Sequence, residues 1–234
     1  MKNNLSIIIP ALNEEKNIIP LTKKIIHHLK KFKFEIIFVD DNSSDESKKI
    51  LNKLAKKHSF FKPILRKKKR DLTQSCFDGI EKSVYKNILI MDADLQHDPK
   101  YIPKMFGLYQ NKNDVVIGAR KLTAGKNKGL SEVRRFASVI LIFLFKIFNI
   151  TTVDPMSGFF IFKKKIYLQN KKNFFGKGFK ILADILINSE DNLKTKDLFI
   201  DFKRRYENES KMNYRILLIL IHFYFKSLLK KLFI

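Results

Sequence analysis

At 234 residues the chain has room for one α/β domain with at most a small appendage, and its 45% of hydrophobic residues can fill a sizeable core. Its single cysteine, Cys76, excludes an intrachain disulfide framework and a cysteine-built zinc site, which fits a reducing, cytoplasmic setting. The 47 Lys and Arg outnumber the 23 Asp and Glu, and the formal net charge of +24 favours a polyanionic partner, either nucleic acid or an anionic membrane, unless it is only a compositional bias toward lysine.

The first half of the chain predicts strands and helices in alternation. Continuous apolar runs predict strands at residues 5–9, 36–39, 63–65, 88–91 and 115–117. Helices are predicted at 17–31, from a cap at Ser43, Ser44 or Asp45 to residue 57, at 72–84 and at 99–111. Strands that are apolar throughout are typical of a parallel sheet covered on both faces. The predicted fold class is therefore α/β, with a mostly parallel sheet and helices on both sides.

The second half of the chain differs in composition. A loop is predicted over the Gly- and Lys-rich residues 121–130, and a very apolar helix over 132–148. Two further strands, at 159–162 and 198–202, look like additions after the parallel part. A polar loop over 204–212 precedes a last helix at 214–233. We therefore divide the chain into one domain, residues 1–212, and a C-terminal helix, residues 213–234.

The last helix has a single narrow polar stripe, and nearly all its other residues are apolar. The stripe consists of Arg215, His222, Lys226 and Lys230. Such a helix is too apolar for an ordinary surface and too charged to span a bilayer, which indicates an amphipathic interfacial helix at the headgroups. A dimer interface or a buried core helix is the alternative. No run reaches the roughly 20 apolar residues of a spanning helix and no secretory signal is visible. We therefore expect a peripheral protein on the cytoplasmic face of an anionic membrane.

Acidic residues directly follow two of the predicted strands. Asp40 and Asp41 come after the second strand, and Asp92 and Asp94 after the fourth. Ligands bind beyond the carboxyl ends of the strands in open parallel sheets, and alternation along an extended chain puts Asp92, Asp94 and Gln96 on one side. Their hard oxygen atoms suit Mg²⁺ or Mn²⁺, which can neutralise the diphosphate of a nucleotide-sugar. The alternative is that these aspartates only form turns.

An ordered series of motifs runs through the chain. It comprises Pro-Ala-Leu-Asn-Glu-Glu at 10–15, Val-Asp-Asp-Asn-Ser-Ser-Asp at 39–45, Met-Asp-Ala-Asp-Leu-Gln-His-Asp-Pro at 91–99, Gly-Ala-Arg at 118–120 and Asp-Pro-Met-Ser-Gly-Phe at 154–159. This series resembles glycosyltransferase family 2, and within it the dolichyl-phosphate mannosyltransferases and their bacterial polyprenyl-phosphate relatives. The resemblance covers roughly residues 5–212 and implies a GT-A fold.

The resemblance also implies a role for each matching position. The nucleoside pocket would contain Pro10, Leu12, Glu14, Asp40 and Asp41. The metal and the donor diphosphate would be held by Asp92, Asp94 and Gln96, and the donor phosphates covered by Arg205 and Lys211. The acceptor phosphate would be bound by Arg120, Arg134 and Ser138. The residues implied in catalysis are Asp92, Asp94, Arg120, Arg134 and Arg205.

The chain departs from the family pattern at four places. Leu12 stands where the family often has Tyr, so a base-stacking contact is missing. Arg-Asp-Leu at 70–72 replaces a Gly-containing turn on the donor side. Asn208 replaces a usual Gly, and Phe160 replaces a common Arg. None of these changes removes a predicted metal ligand or acceptor-phosphate contact.

The implied reaction is the inverting transfer of a hexose, with mannose favoured, from GDP-mannose or a UDP-hexose to dolichyl or undecaprenyl phosphate. A phosphate acceptor is already an anionic nucleophile, so it needs no general base. The enzyme must instead stabilise the departing diphosphate, which a metal and Arg or Lys contacts do electrostatically. Arg134 and Ser138 are spaced i, i+4 and share one face of the predicted helix. The apolar residues that follow them match a lipid phosphate with its tail.

Three other functions are compatible with parts of the sequence. A family 2 enzyme acting on a glycan hydroxyl would need a base, for which Asp154 is the candidate. A sugar nucleotidyltransferase can share the sheet but usually has a Gly-rich phosphate loop after the first strand, and Pro-Ala-Leu-Asn at 10–13 is not one. A basic module that binds nucleic acid or membrane without catalysis leaves the acidic cluster unexplained. We therefore predict no nucleic-acid partner.

Overall fold

The strands of the protein form where the sequence has its continuous apolar runs. The computed structural model describes residues 4–120, 148, 150–178, 181–189, 192–201 and 214–232. The strands are β1 (Asn4–Ala11), β2 (Lys33–Asp40), β3 (Ile64–Leu65), β4 (Asn87–Ile90), β5 (Val115–Arg120), β6 (Phe160–Lys163) and β7 (Thr195–Ile200). They make one seven-stranded sheet in the order β3-β2-β1-β4-β6-β5-β7.

Helices connect most of these strands. They are α1 (Glu15–His28), α2 (Ser47–Lys57), α3 (Leu72–Lys82), α4 (Ile102–Gln110), α5 (Lys164–Asn170), α6 (Ile181–Asn188) and α7 (Tyr214–Leu232). A 3₁₀ turn, Pro99–Tyr101, leads into α4. Both α5 and α6 were absent from the sequence prediction, because helices of 7 and 8 residues are too short to show a clear helical period. The predicted loop at 121–130 and the predicted helix at 132–148 lie outside the described residues, apart from Phe148.

The sheet is mostly parallel, as predicted. β1, β2, β3 and β4 pair in parallel, and β5 pairs in parallel with β7. β6 runs antiparallel to both of its neighbours, β4 and β5. The sequence suggested that this strand follows the parallel part as an addition, and that placement is wrong because β6 is inserted between two parallel strands. β7 does lie at the edge.

The core has two layers, one on each face of the sheet. Ile7 and Ile9 of β1 point to one face, where they pack with residues of α1, α2 and α4. Ile8 points to the other face, which α3, α5 and α6 cover. Because both faces are buried, apolar residues are favoured at consecutive positions in the middle of the strands, which explains the continuous runs. Cys76 lies fully buried in the second layer.

Helix α7 has a buried apolar side and an exposed apolar stripe, whereas the sequence pattern showed only its polar stripe. Phe223 and Tyr224 are buried, and Phe223 packs in a small cluster with Ala183 of α6. The opposite side exposes Ile221, Phe225 and Leu229, which are spaced i, i+4, i+8 and so form one apolar stripe. Within the part of the chain that the structure describes, no helix is long and apolar enough to cross a membrane. The interfacial location of this helix stays a prediction.

Candidate active site

The carboxyl ends of the parallel strands bring together the loops that carry the acidic motifs. Ala11 at the end of β1 lies beside Asp40 at the end of β2, and the backbone N–H of Asp41 donates to the Ala11 carbonyl over 2.8 Å. Residues in the left-handed backbone conformation turn the chain after three of these strands. They are Asn13, Asn42 and Leu95, with φ of 57°, 61° and 63°. Asn tolerates this conformation because its short side chain can bond locally, whereas Leu95 stores about 1–3 kcal/mol of backbone strain there. Such strained residues are concentrated at functional sites.

The loops after β1 and β2 are bonded directly to each other. The Asn13 N–H donates to Ser43 Oγ over 2.8 Å, and the Ser44 N–H donates to Asn13 Oδ1 over 2.9 Å. The N-cap position of α2 is Glu46, which makes no side-chain cap bond, but Asp45 Oδ1 accepts the N–H of Ser47, the first residue of the helix, over 3.0 Å. Of the three predicted capping residues, Asp45 therefore does bond the start of the helix. Ser43 and Ser44 instead fix the loop that contains Leu12 and Glu14 against the loop that contains the two aspartates.

Asp40 and Asp41 have different surroundings. Asp40 is fully buried, and its Oδ2 accepts the Ser43 N–H over 3.1 Å. Its Oδ1 is buried with no hydrogen-bond partner among the described residues, an arrangement that is costly without a ligand or water. Asp41 accepts from two groups, the guanidinium of Arg66 through Oδ1 and the Asp71 N–H through Oδ2. Asp41 is therefore held rigidly at the carboxyl end of β2.

Arg66 is a site residue that sequence reasoning missed. Only 3% of its side chain is exposed, and besides Asp41 it contacts Asp78, with Nε 2.7 Å from Oδ2. It also donates to Ser75 Oγ over 3.0 Å. The sequence could not single it out, because it is the first of five consecutive cationic residues and the other four are exposed.

Asp71, which precedes α3, connects three segments. Its Oδ1 accepts the Gln74 N–H over 3.0 Å, so it is the N-cap of α3. Its Oδ2 accepts the Gly178 N–H over 2.9 Å, and Gln74 Nε2 donates to the Gly176 carbonyl over 2.6 Å. The loop that contains Gly176 and Gly178 is thereby bonded to Asp71, whose N–H in turn orients Asp41.

The loop after β4 carries the predicted metal ligands. Asp92 is 38% exposed at its side chain, whereas Asp94 is buried. The extended run expected from Asp92 to Gln96 is wrong, because the backbone turns at Leu95 and the Gln96 N–H donates to Asp94 Oδ1 over 3.1 Å. Position along an alternating strand therefore does not place Gln96 beside the two aspartates.

His97 and Gly158 are the two residues that fit against Asp92 in this loop. The Asp92 N–H donates to His97 Nδ1 over 3.3 Å, and the buried imidazole stacks on Phe159 with the ring centroids 5.1 Å apart. Burial lowers the pKa of His97 to about 4, so the ring is neutral near pH 7 and can accept this bond. A Cβ at Gly158 would lie 2.6 Å from Asp92 Oδ2, so the Asp92 carboxylate occupies space that only glycine leaves open.

Arg120 ends β5 and is paired with the buried Asp154. The Nε of Arg120 lies 2.7 Å from Asp154 Oδ2, and its Nη2 lies 2.7 Å from Oδ1, which is a bidentate ion pair. The bonds to Asp154 raise the pKa of Arg120, and the negative charge of Asp92 raises it further. A permanently positive group therefore lies close to the acidic loop.

The oxygen ligands at this edge fit a divalent metal that is shared with a phosphate. No group of three or more His, Cys, Asp or Glu side chains that could hold a metal occurs in the described ranges. Asp92 and Asp94 are the two carboxylates that directly follow β4, whereas Asp98 caps the 3₁₀ turn before α4. Mg²⁺ is commonly held by one or two carboxylates, with substrate phosphates and water completing its shell, so this donor set suits a metal that arrives with a diphosphate.

The structure brings most of the predicted site residues to one edge of the sheet. Those that the carboxyl-end loops place there are Pro10, Leu12, Glu14, Asp40, Asp41, Asp92, Asp94, Gln96 and Arg120. Those that lie outside the described residues are Arg134, Ser138, Arg205 and Lys211. Their assigned roles stay predictions.

Solved structures with a similar fold are found among sugar transferases. A glucosyl-3-phosphoglycerate synthase from Mycobacterium tuberculosis, in complex with phosphoglyceric acid, superposes with a TM-score of 0.71 at 16% identity, over 97% of this chain and 79% of that one. The same enzyme in complex with Mn²⁺, UDP and glucosyl-3-phosphoglycerate gives a TM-score of 0.70. At this identity the similarity concerns the fold alone, and it confirms the predicted GT-A fold.

Sequence comparison identifies the family. The dolichol-phosphate mannosyltransferase of Pyrococcus furiosus is 34% identical over 213 residues, which are 89% of this chain but only 59% of that protein's length. The dolichol-phosphate mannosyltransferase of Saccharomyces cerevisiae is 31% identical over 228 residues, 93% of this chain and 84% of the relative. The profile of the family described as Glycosyl transferase family 2 matches residues 6–170. The chain therefore belongs to glycosyl transferase family 2.

Proposed function

We propose that this protein transfers a hexose, with mannose favoured, from a nucleotide-sugar to a polyprenyl phosphate with inversion at the anomeric carbon. The observation that carries the proposal is the meeting of two opposite charges at one edge of the sheet. Asp92 and Asp94 suit the donor diphosphate through a metal, and Arg120 supplies a cation for a second phosphate. The two relatives named dolichol-phosphate mannosyltransferase support the same pair of substrates.

The donor side would work through charge and position. Asp92, Asp94 and Gln96 would hold Mg²⁺ or Mn²⁺, which when bound neutralises the leaving diphosphate. Glycine at 158 leaves room for the Asp92 carboxylate, and the neutral His97 fixes the Asp92 backbone by accepting its N–H. The buried network of Arg66, Asp41 and Asp71 would fix the wall of the nucleoside pocket beside Pro10, Leu12, Glu14 and Asp40. Arg205 and Lys211 would cover the donor phosphates.

The acceptor side would need no proton transfer. A phosphate oxygen is anionic near pH 7 and attacks the anomeric carbon directly, so the chain has only to bring two negatively charged substrates together. Arg120, with Arg134 and Ser138 in their predicted positions, would neutralise the acceptor phosphate by charge-assisted hydrogen bonds. Binding and electrostatic stabilisation then account for catalysis without a carboxylate base.

One assay tests the proposal as a whole. The full chain is incubated with Mn²⁺ or Mg²⁺, a panel of GDP- and UDP-linked hexoses, and either undecaprenyl or dolichyl phosphate, and the organic extract is analysed for a polyprenyl-phosphate sugar. We expect a lipid-phosphate product with one donor, and GDP-mannose is the first candidate. Transfer to a glycan hydroxyl, with no lipid product from any donor, would contradict the proposal.

The acceptor assignment of Arg134 gives a separate prediction. We expect Arg134→Ala to raise KM for the polyprenyl phosphate roughly ten- to a hundred-fold, because charge-assisted contacts to a phosphate are worth about 1.5–3 kcal/mol. Nucleotide binding, measured by calorimetry, should change little. The matched control is Arg135→Ala, since the neighbouring position lies on a different face of the predicted helix. Equal losses in donor and acceptor binding would contradict the assignment of Arg134 to the acceptor phosphate.

The membrane location can be tested on the exposed face of α7. We propose that the protein lies on an anionic membrane surface, with the stripe of Ile221, Phe225 and Leu229 in the headgroup layer and the basic side chains beside it. Burying one such apolar side chain is worth about 1.5–3 kcal/mol. Replacing all three by Ser should therefore weaken binding to anionic vesicles at least about tenfold in a flotation assay.

The vesicle experiment has a control on another surface of the protein. Val84, which precedes β4, and Leu168 of α5 are similarly exposed apolar residues outside α7, and their replacement by Ser should leave vesicle binding unchanged. High salt should weaken but not abolish binding by the wild-type chain, since screening acts on the charges and not on apolar burial. If the α7 variant binds as tightly as the wild type, the stripe does not contact lipid.

A further inference from the structure

We propose that Asp154 is a positioning residue: it orients Arg120 for the acceptor phosphate and does not act as a base. This inference rests on the proposed function, because it assigns Arg120 to the phosphate acceptor of that reaction. Asp154 belongs to the segment 154–159, which we call the Asp154 loop. The loop lies between the end of β5 and the acidic loop after β4, so it touches the elements that would carry both substrates.

The contact between Asp154 and Arg120 fixes the plane of the guanidinium. Both carboxylate oxygens are used, one by Arg120 Nη2 and the other by Arg120 Nε, and the Arg120 backbone N–H adds a bond of 3.1 Å to Oδ2. Asp154 is only 2% exposed. Because a guanidinium has five N–H donors in one plane, this contact fixes its orientation through two of them.

The Asp154 loop is itself anchored on two sides. Thr152 Oγ1 donates to Asp197 Oδ1 over 2.6 Å, and the Val153 N–H donates to Asp197 Oδ2 over 2.9 Å, which ties the start of the loop to β7. Ser157 Oγ donates to the Gly118 carbonyl of β5 over 2.8 Å. The loop therefore cannot shift relative to the strand that ends in Arg120.

The other end of the same loop supports the acidic side of the site. Gly158 lies against the Asp92 carboxylate, and Phe159 stacks on His97, which accepts the Asp92 N–H. One short segment thus contacts both Arg120, the proposed cation for the acceptor phosphate, and Asp92, the proposed metal ligand for the donor diphosphate. The distance between the two substrates is then fixed by the loop, which is what a transfer between two anionic groups requires.

A base would need different surroundings. A general base must have an oxygen within hydrogen-bond reach of the hydroxyl that it deprotonates. In Asp154 each oxygen already accepts a charge-assisted bond from a group that stays protonated. Releasing one oxygen for a hydroxyl would break half of the ion pair of a buried carboxylate, which is unfavourable. The geometry therefore suits orientation of Arg120 and not proton abstraction.

The test compares steady-state constants of Asp154→Asn, Arg120→Lys and the double variant in the full chain. We expect each single change to raise KM for the polyprenyl phosphate about ten- to a hundred-fold, with a small change in the KM for the donor. The double variant should be little worse than the worse single variant, because two residues that act through one contact are not additive. A fall in kcat of about 10²–10⁴-fold with an unchanged acceptor KM would indicate a base and overturn the inference.

A matched control separates orientation from simple loss of stability. Glu35 is a buried carboxylate near the start of β2, away from the carboxyl ends of the strands, and it pairs with Lys62. Glu35→Gln should therefore lower the melting temperature without changing either KM selectively. If Asp154→Asn does not fold, Arg120→Lys carries the test, since it keeps the charge beside Asp154 and loses only the bidentate geometry. Failure of the wild-type chain to use any polyprenyl phosphate would instead contradict the proposed function.

Discussion

Asp92→Asn and Asp94→Asn should each abolish transfer, with a loss of at least about a hundredfold in kcat/KM. Each change removes one of the two carboxylates at the end of β4 that suit a divalent metal. Even changes to the partners of a metal ligand cost about 10–100-fold, so the loss of a ligand itself should cost more. Product formation is measured by extraction of the labelled lipid, and chelation of the wild type should give the same loss, restored by Mn²⁺ or Mg²⁺.

A third aspartate in the same loop provides the control for this result. Asp98 Oδ1 accepts the Lys100 N–H over 3.1 Å and caps the 3₁₀ turn before α4. Asp98→Asn keeps an oxygen for that cap, so its activity should stay close to that of the wild type. Full activity of the wild type in chelator would contradict the metal assignment, whatever the aspartate variants do.

Arg66→Met should lower the free energy of unfolding by about 3–5 kcal/mol, because it leaves a buried carboxylate without its cation. Asp41 is buried beside Arg66, and Asp78 loses the same partner. Methionine has a similar length and fills the space, so the loss reports the broken ion pairs and not a cavity. The measurement is the urea concentration at half-unfolding, followed by circular dichroism.

The second partner of Arg66 offers a graded comparison. The Asp78 side chain is 25% exposed, so water solvates it in part and Asp78→Asn should cost clearly less than the arginine change. Nucleotide affinity of Arg66→Met, measured below its unfolding transition, should also fall because Asp41 loses its orientation. An unfolding midpoint equal to that of the wild type would mean that Asp41 does not depend on Arg66.

The alternation of strands and helices and the position of the acidic motifs could be predicted from the amino-acid sequence alone. The central positions of β1, β2 and β4 are buried on both faces, so each strand contains a continuous apolar run, and that run is visible in any one strand without knowledge of its neighbours. The aspartates after β2 and β4 are adjacent in the chain to these strands. Parallel pairing then brings the strand ends to one edge, which is why a local pattern sufficed to predict where the site lies.

The contacts between distant residues became visible only in the packed structure. The position of β6 between β4 and β5 depends on pairing between distant segments, which leaves no mark in the local period of a four-residue strand. The burial of Arg66, alone of five adjacent cations, depends on carboxylates from two other segments. The turn at Leu95 stores strain that the surrounding contacts must hold, and Asp154 meets Arg120 across 34 positions of sequence. Contacts of this kind form because folding brings chain segments together, so they follow from the packed structure and not from residue spacing.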